Sequence, residues 1–236
     1  IHQGDYSWDI CNSTQNSFFV LGRMASRSYL LRINAYGDTI WKRIDTLYSR
    51  SIVSTGDGGC VIPGGSGDTT FTMKIDSNGS LVWRKFYSFS DGSFWDIKKV
   101  SDGGYLTCGF SGPFMSQVLK VDSVGNLQWR REFSYSGGTI SLLNVVEAYN
   151  GGYIIVGEVY GPGIGHLAPF IRLSNMGEVI WQKFYRPSVD SSINALVIEK
   201  VSNQYVVSGS FFPSSMGNQS PCIMRLDTNC DVRYLK

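Results

Sequence analysis

"KIDSNGSLVWRKF", residues 74–86, decides the fold, because it is one copy of a pattern that runs the length of the chain. A base, an aliphatic, an Asp, two small polar residues and a Gly lead to a Trp four residues on, and a base follows two later. "RINAYGDTIWKR" (32–43), "KVDSVGNLQWRR" (120–131) and "RLSNMGEVIWQK" (172–183) repeat it without gaps. A divergent fifth copy, "RLDTNCDVRYLK" (225–236), has Cys230 where the others place Gly37, Gly79, Gly125 and Gly177. It has Tyr234 where the others place Trp41, Trp83, Trp129 and Trp181.

A second pattern precedes each copy. "SFFVLG" (17–22), "GCVIPG" (59–64), "GYLTCG" (104–109), "GYIIVG" (152–157) and "QYVVSG" (204–209) each set a Gly four residues after a mostly aromatic position. Eight residues before that position stands an aliphatic: Ile10, Ile52, Ile97, Val145 and Val197. Measured on Phe18, Cys60, Tyr105, Tyr153 and Tyr205, the period is 42, 45, 48 and 52 residues. Each unit reads as four short strands, A to D, with the aliphatic on A and the Trp on D. A repeat of this length and strand content is the signature of a β-propeller blade, because only stacked blades cover both faces of every sheet. The expectation is an all-β, five-bladed β-propeller of four-stranded antiparallel blades. It forms a single domain over 1–236, with blades near 6–46, 47–88, 89–135, 136–187 and 188–236.

Turn chemistry explains the polar half of the motif. Asn34, Asp76, Asp122, Ser174 and Asp227 begin a tight turn and can accept a hydrogen bond from the backbone two residues on. The Gly then supplies a positive φ, which costs a residue with a Cβ about 1–2 kcal/mol. The tryptophans are expected to wedge between neighbouring blades, and the base two residues on to lie along the rim with its charge in water.

With its Asp-x-x-Gly-x-x-x-Trp core, the D-strand motif resembles the repeat of quinoprotein-type (PQQ-like) propellers. Together with the Asp-Gly-Gly-Tyr element it is also similar to propeller repeats of secreted bacterial proteins. The resemblance spans nearly the whole chain and implies the fold. The cofactor ligands of quinone-dependent dehydrogenases find no counterpart here, so it implies neither an activity nor a cofactor.

Composition narrows the function classes. Charged residues make up 17% and the net charge is +2, with both signs spread along the chain, so no basic block points to nucleic acid. No apolar run approaches the length that spans a bilayer, so no membrane insertion is expected. A chain opening at Ile1 reads as a processed product or an excised fragment, and the expected setting is secreted or cell surface. The five cysteines read as small buried hydrophobes, with at most one or two bridges.

Spacing locates the elaborated face. From the strand-B Gly to the strand-C base the count runs 10, 10, 11, 15 and 16, while the C–D turn never changes length. Growth therefore falls on the face that carries the B–C and D–A loops, and function concentrates on such loops held by a rigid scaffold. The longest are "EVYGPGIGHLAPF" (158–170) and "SFFPSSMGNQSPC" (210–222). They offer Tyr160, His166, Phe211, Phe212, Met216 and Asn218 as candidate ligand-binding residues. These would grip a protein or carbohydrate ligand, or merely cap the loops against the ring. No catalytic residue, metal ligand or cofactor site is assigned, since no nucleophile elbow, zinc-binding helix or Cys-x-x-Cys pair is present. The expected role is a non-catalytic binding module for protein–protein or protein–glycan interaction. Two alternatives stand beside it. One is a glycan-acting enzyme using carboxylates of the central funnel, from Asp9, Asp96, Glu147 and Glu199. The other is a structural component of a larger extracellular assembly.

Overall fold

A computed structural model describes residues 6–14, 16–24, 27–45, 48–66, 69–87, 92–188, 191–213 and 219–236. They form twenty strands in five four-stranded antiparallel sheets, the blades of a five-bladed β-propeller, with no helix among the described residues. The first sheet holds β1 (Tyr6–Asn12), β2 (Ser17–Met24), β3 (Arg27–Asn34) and β4 (Thr39–Asp45). The second holds β5 (Val53–Ser54), β6 (Cys60–Ser66), β7 (Thr69–Ile75) and β8 (Leu81–Tyr87), and the third β9 (Gly92–Lys99), β10 (Tyr105–Ser111), β11 (Met115–Val121) and β12 (Leu127–Ser134). The fourth holds β13 (Thr139–Glu147), β14 (Tyr153–Gly161), β15 (Gly165–Leu173) and β16 (Val179–Tyr185). The fifth is built from β17 (Ser191–Val201), β18 (Gln204–Pro213), β19 (Ser220–Leu226) and β20 (Val232–Leu235). Every sheet takes its four strands in order from one repeat. The chain groups into two compact units, Ile1–Thr107 with Lys120–Gln128, and Cys108–Leu119 with Trp129–Lys236.

Within each unit the repeated residues join one copy to the next. The motif turns close as the sequence implies: Asp76 accepts from the amides of Asn78 and Ser80 at 2.8 Å, and Gly79 has a φ of 87°. The Gly has a second role that the sequence does not reveal. A Cβ on Gly79 would lie 3.2 Å from the Trp41 ring, one on Gly125 2.6 Å from Trp83, and one on Gly177 2.6 Å from Trp129. Trp41, Trp83 and Trp129 thus lie on the turn of the following copy, where two of the indole N–H groups donate to a backbone carbonyl: Trp41 to Ser77 (2.9 Å) and Trp129 to Asn175 (3.0 Å). The base two residues on is also used: Arg43 donates to the Gly79 carbonyl, and Lys183 to the Asn229 carbonyl and to Asp231. These bases therefore join the rim to the next turn rather than leaving their charge wholly to water.

The base that opens the motif points inward. Lys120 is 1% exposed and meets Asp102 at 2.8 Å, and Lys74 meets Asp57 at 2.5 Å. Both acids come from the Asp-Gly-Gly turns between strands A and B. In those turns the first Gly takes a positive φ (83° at Gly58, 84° at Gly103). The second lets strand C approach, since a Cβ on Gly59 or Gly104 would meet a strand-C carbonyl at 2.4 Å.

Strand A departs from the expected alignment in one blade. The register of β17 slips between Ala195 and Val197, so Ile198, not Val197, pairs with Val207 and is fully buried, while Val197 is 41% exposed. The A–B connection is accordingly one residue shorter, a two-residue turn of Ser202 and Asn203 with Ser202 at a φ of 54°. The same bulge recurs at Trp8 in β1 and Leu143 in β13. The residue after it clasps the next blade: Asp9 accepts from the Ile52 amide at 2.9 Å, and Asn144 from the Ile198 amide at 3.0 Å. All five cysteines are free thiols, four of them buried.

Candidate functional site

The two segments expected as long loops are mostly strand. β14 and β15 extend to Gly161 and Gly165, which pair with each other, so the connection in "EVYGPGIGHLAPF" is only Pro162, Gly163 and Ile164. The added residues lengthened both strands instead of swelling the loop, and Gly163 and Gly165 (φ 75° and 63°) allow the tight reversal. In "SFFPSSMGNQSPC", β18 continues through Pro213 and β19 starts at Ser220; Met216 and Asn218 lie outside the described residues.

Extension of this hairpin makes Tyr160 and His166 cross-strand partners. The imidazole stacks on the Tyr160 ring at 6.0 Å and on Phe212 of the neighbouring blade at 4.3 Å, with 8° between the His166 and Phe212 planes. Its Nδ1 is in hydrogen-bond contact with Oε1 of Glu158, which sits two residues before Tyr160 on the same strand. Of the six candidates, the structure therefore brings together Tyr160, His166 and Phe212, and adds Glu158. Phe211 points to the other side of β18, as alternation in a strand requires, and packs against the core cluster around Tyr205 and Met224. There it borders a smaller depression of about 240 Å³ with Pro221 and Leu235.

Tyr160 and His166 form one wall of an open cleft of about 590 Å³. Phe114, from the β10–β11 hairpin, also lines it and is 64% exposed. The floor is backbone. Gly137 and Gly138, which connect β12 to β13, lie so near the hairpin that a Cβ on Gly138 would sit 2.7 Å from the Tyr160 carbonyl. One on Gly161 would sit 2.6 Å from the Gly137 carbonyl. Two B–C hairpins and one D–A connection thus meet at this cleft. Sequence reasoning missed Phe114, Glu158 and the glycine floor. "SYSGG" at 134–138 carried the signal, since paired glycines where a strand should begin mark close backbone approach.

Two of the carboxylates considered for a central funnel, Asp9 and Asp96, engage groups of the inner strands. Both Asp9 oxygens are engaged, Oδ1 by the Ile10 amide at 2.8 Å and Oδ2 by the Ile52 amide and the Ser51 hydroxyl at 2.9 Å. Asp96 is buried and lies 3.3 Å from the same hydroxyl.

No family model matches the chain, and no curated protein sequence matches it. Solved structures do. A protein of unknown function from Dyadobacter fermentans is similar over 97% of this chain and 81% of its own, with a TM-score of 0.63 and 10% identity. The Dos1 propeller is similar over 98% of this chain (TM-score 0.62, 12% identity), and this chain spans 59% of its length. Virginiamycin B lyase from Staphylococcus aureus is similar over 94% of this chain and 77% of its own (TM-score 0.58, 11% identity). At such identities the likeness establishes the fold alone, and the chain is a β-propeller.

Proposed function

We propose that the protein is a non-catalytic binding module, secreted or surface-exposed, that holds a protein or glycan ligand in the cleft at Tyr160 and His166. The kinship of its repeats with quinoprotein-type and secreted bacterial propellers belongs to the same proposal. The observation that carries it is the cleft itself: about 590 Å³, open, walled by Phe114 and Tyr160 and floored by glycine backbone. Flat apolar rings beside a few polar groups are the usual composition of a ligand site. The exposed Gly137 peptide adds a directional partner, while the Gly138 amide is held by the Tyr135 carbonyl. Here the imidazole–carboxylate pair serves as the hydrogen-bonding element, fixed in orientation by Phe212.

A screen of the intact chain against a glycan array and a peptide library tests this. Tyr160→Ala should lower affinity for the selected ligand at least about tenfold, the effect of losing one aromatic contact of roughly 1.5 kcal/mol. Phe211→Ala, which leaves the cleft untouched, should not change affinity. Equal affinity in wild type and Tyr160→Ala places the ligand elsewhere and ends the reading.

One observation favours an enzyme as second reading. A carboxylate bonded to one ring nitrogen of a histidine is the arrangement that orients a general base, and the structural neighbours include a lyase by name. Turnover of a cleft ligand that disappears in His166→Gln would replace the binding reading with this one.

A further inference from the structure

The inner strands of the first three repeats carry a group that neither the fold nor the cleft requires. Arg50, just before β5, sits among aromatic rings: its guanidinium carbon is 3.7 Å from the centre of the Trp95 ring, 4.8 Å from Trp8 and 5.1 Å from Tyr48. Its Nε donates to the Tyr48 hydroxyl. Other arginines of the molecule end on oxygens that hold the fold: Arg32 on the Ser77 carbonyl, Arg84 on Asp45, Arg172 on the Leu173 carbonyl and Arg233 on Asp227. Among the described residues no carboxylate lies within 4.0 Å of the Arg50 guanidinium. The neighbouring Asp9 is turned to the Ser51 hydroxyl and the Ile52 amide instead. Stacking against rings, with Nε committed to Tyr48, leaves the Nη edge to donate, and that edge is the planar fork that matches an oxyanion.

The surroundings are fixed before any ligand arrives. Tyr48 forms an isolated bridge with Gly65, its amide donating to the Gly65 carbonyl at 3.3 Å and its carbonyl accepting at 3.0 Å. A Cβ on Gly64 would meet the Tyr48 carbonyl at 2.4 Å, so the backbone beside Arg50 has no slack. Beside the cation lies an open aromatic shelf. Trp8 is 39% exposed and Tyr6 60%, with ring centres 6.2 Å apart and planes inclined by 35°. The bulge at Trp8 is what turns that indole out of the strand's alternation.

We propose that Arg50, Trp8, Tyr48 and Trp95 form a second binding site, for an acidic saccharide. The guanidinium fork takes the sugar carboxylate, and the exposed Trp8 and Tyr6 rings take the flat face of a sugar ring. The site shares no residue with the cleft at Tyr160. A phosphate group satisfies the same fork, so the test separates the two sources of anion.

The intact chain is titrated by calorimetry, with tryptophan fluorescence as second readout, using an oligomer of glucuronic acid, the matching neutral glucose oligomer and inorganic phosphate. Saturable binding of the acidic oligomer is expected, with a change in tryptophan emission and at least about tenfold weaker binding of the neutral one, as for a lost charge-assisted pair. Arg50→Gln should lower affinity for the acidic oligomer about tenfold or more. Arg50→Lys, which keeps the charge and loses the fork, should fall between. Trp8→Ala, at an exposed ring, should weaken binding without removing the anion preference. Tyr160→Ala should bind as wild type, so this site and the cleft fail separately. The proposal is overturned if the acidic oligomer does not bind, if Arg50→Gln or Trp8→Ala binds it as wild type does, or if phosphate alone binds as tightly as the oligomer.

Discussion

Asp57 shows how a turn residue acquires a second task. Its carboxylate accepts from the Lys74 ammonium, the Thr55 hydroxyl and the Gly59 amide, and these contacts, the Lys74 bond foremost, pull its pKa down to about 2. A carboxylate depressed below its unfolded value of about 3.9 adds stability that is complete above that pH and is lost as pH falls through the folded value. Melting temperatures should therefore drop between about pH 4 and pH 2, and Asp57→Asn should be less stable at neutral pH yet follow a shallower acid slope. Asp57 is largely exposed, so the effect should be modest. The motif glycines give a sharper contrast. A Cβ on Gly37 meets nothing within 4 Å, so Gly37→Ala should cost only the left-handed backbone, about 1–2 kcal/mol. Gly125→Ala adds a 2.6 Å collision with Trp83 and should cost clearly more in denaturant melts. Removing the ring itself, as in Trp129→Ala, should cost about 3–5 kcal/mol.

Hairpins separate what the sequence shows from what it hides. Four-strand repeats, the Asp-Gly-Gly reversals and the motif turns were legible because each depends on residues adjacent in the chain. The A–B turn of the fifth blade was not, since its bulge moves Val197 out and Ile198 in without altering the apolar pattern. Its two-residue turn places Ser202 alone at positive φ, where a turn of this form prefers Gly. Ser202→Gly should raise stability by a few tenths to about 1 kcal/mol, read from the denaturant midpoint. The site was half legible. Tyr160, His166 and Phe212, which the structure brings together, were singled out from loop length, although the length had gone into paired strands. Phe211 was grouped with Phe212 because neighbours in a loop share a face, whereas neighbours in a strand do not. Phe114, Glu158 and Arg50 were missed because their partners come from other repeats, or in the case of Glu158 from across a hairpin read as loop.

At the scale of the whole molecule, buried polar groups among the described residues tie strands within a copy, as Lys120 does to Asp102, and join one copy to the next, as Asn144 does to Ile198, while burial sets the state of the thiols. Burial pushes the Cys60 thiol well above its ordinary range, and burial and then the nearby Asp9 carry Cys11 up to about 12. Thiols so placed are neutral at physiological pH and poor nucleophiles. A thiol-reactive dye should therefore label the native protein slowly, whereas all five cysteines should react at once in denaturant; fast native labelling of Cys60 would contradict the packing. The seating of Trp41, Trp83 and Trp129 on the turn of the following copy also bears on how such a chain grows. One stretch of gene encodes both the indole that reaches forward and the glycine seat that receives the indole from behind. A tandem duplication of that stretch therefore inserts a blade that fits both neighbours at once, with no compensating change in either. The last copy has given up both halves of the exchange, with Cys230 for the seat and Tyr234 for the indole.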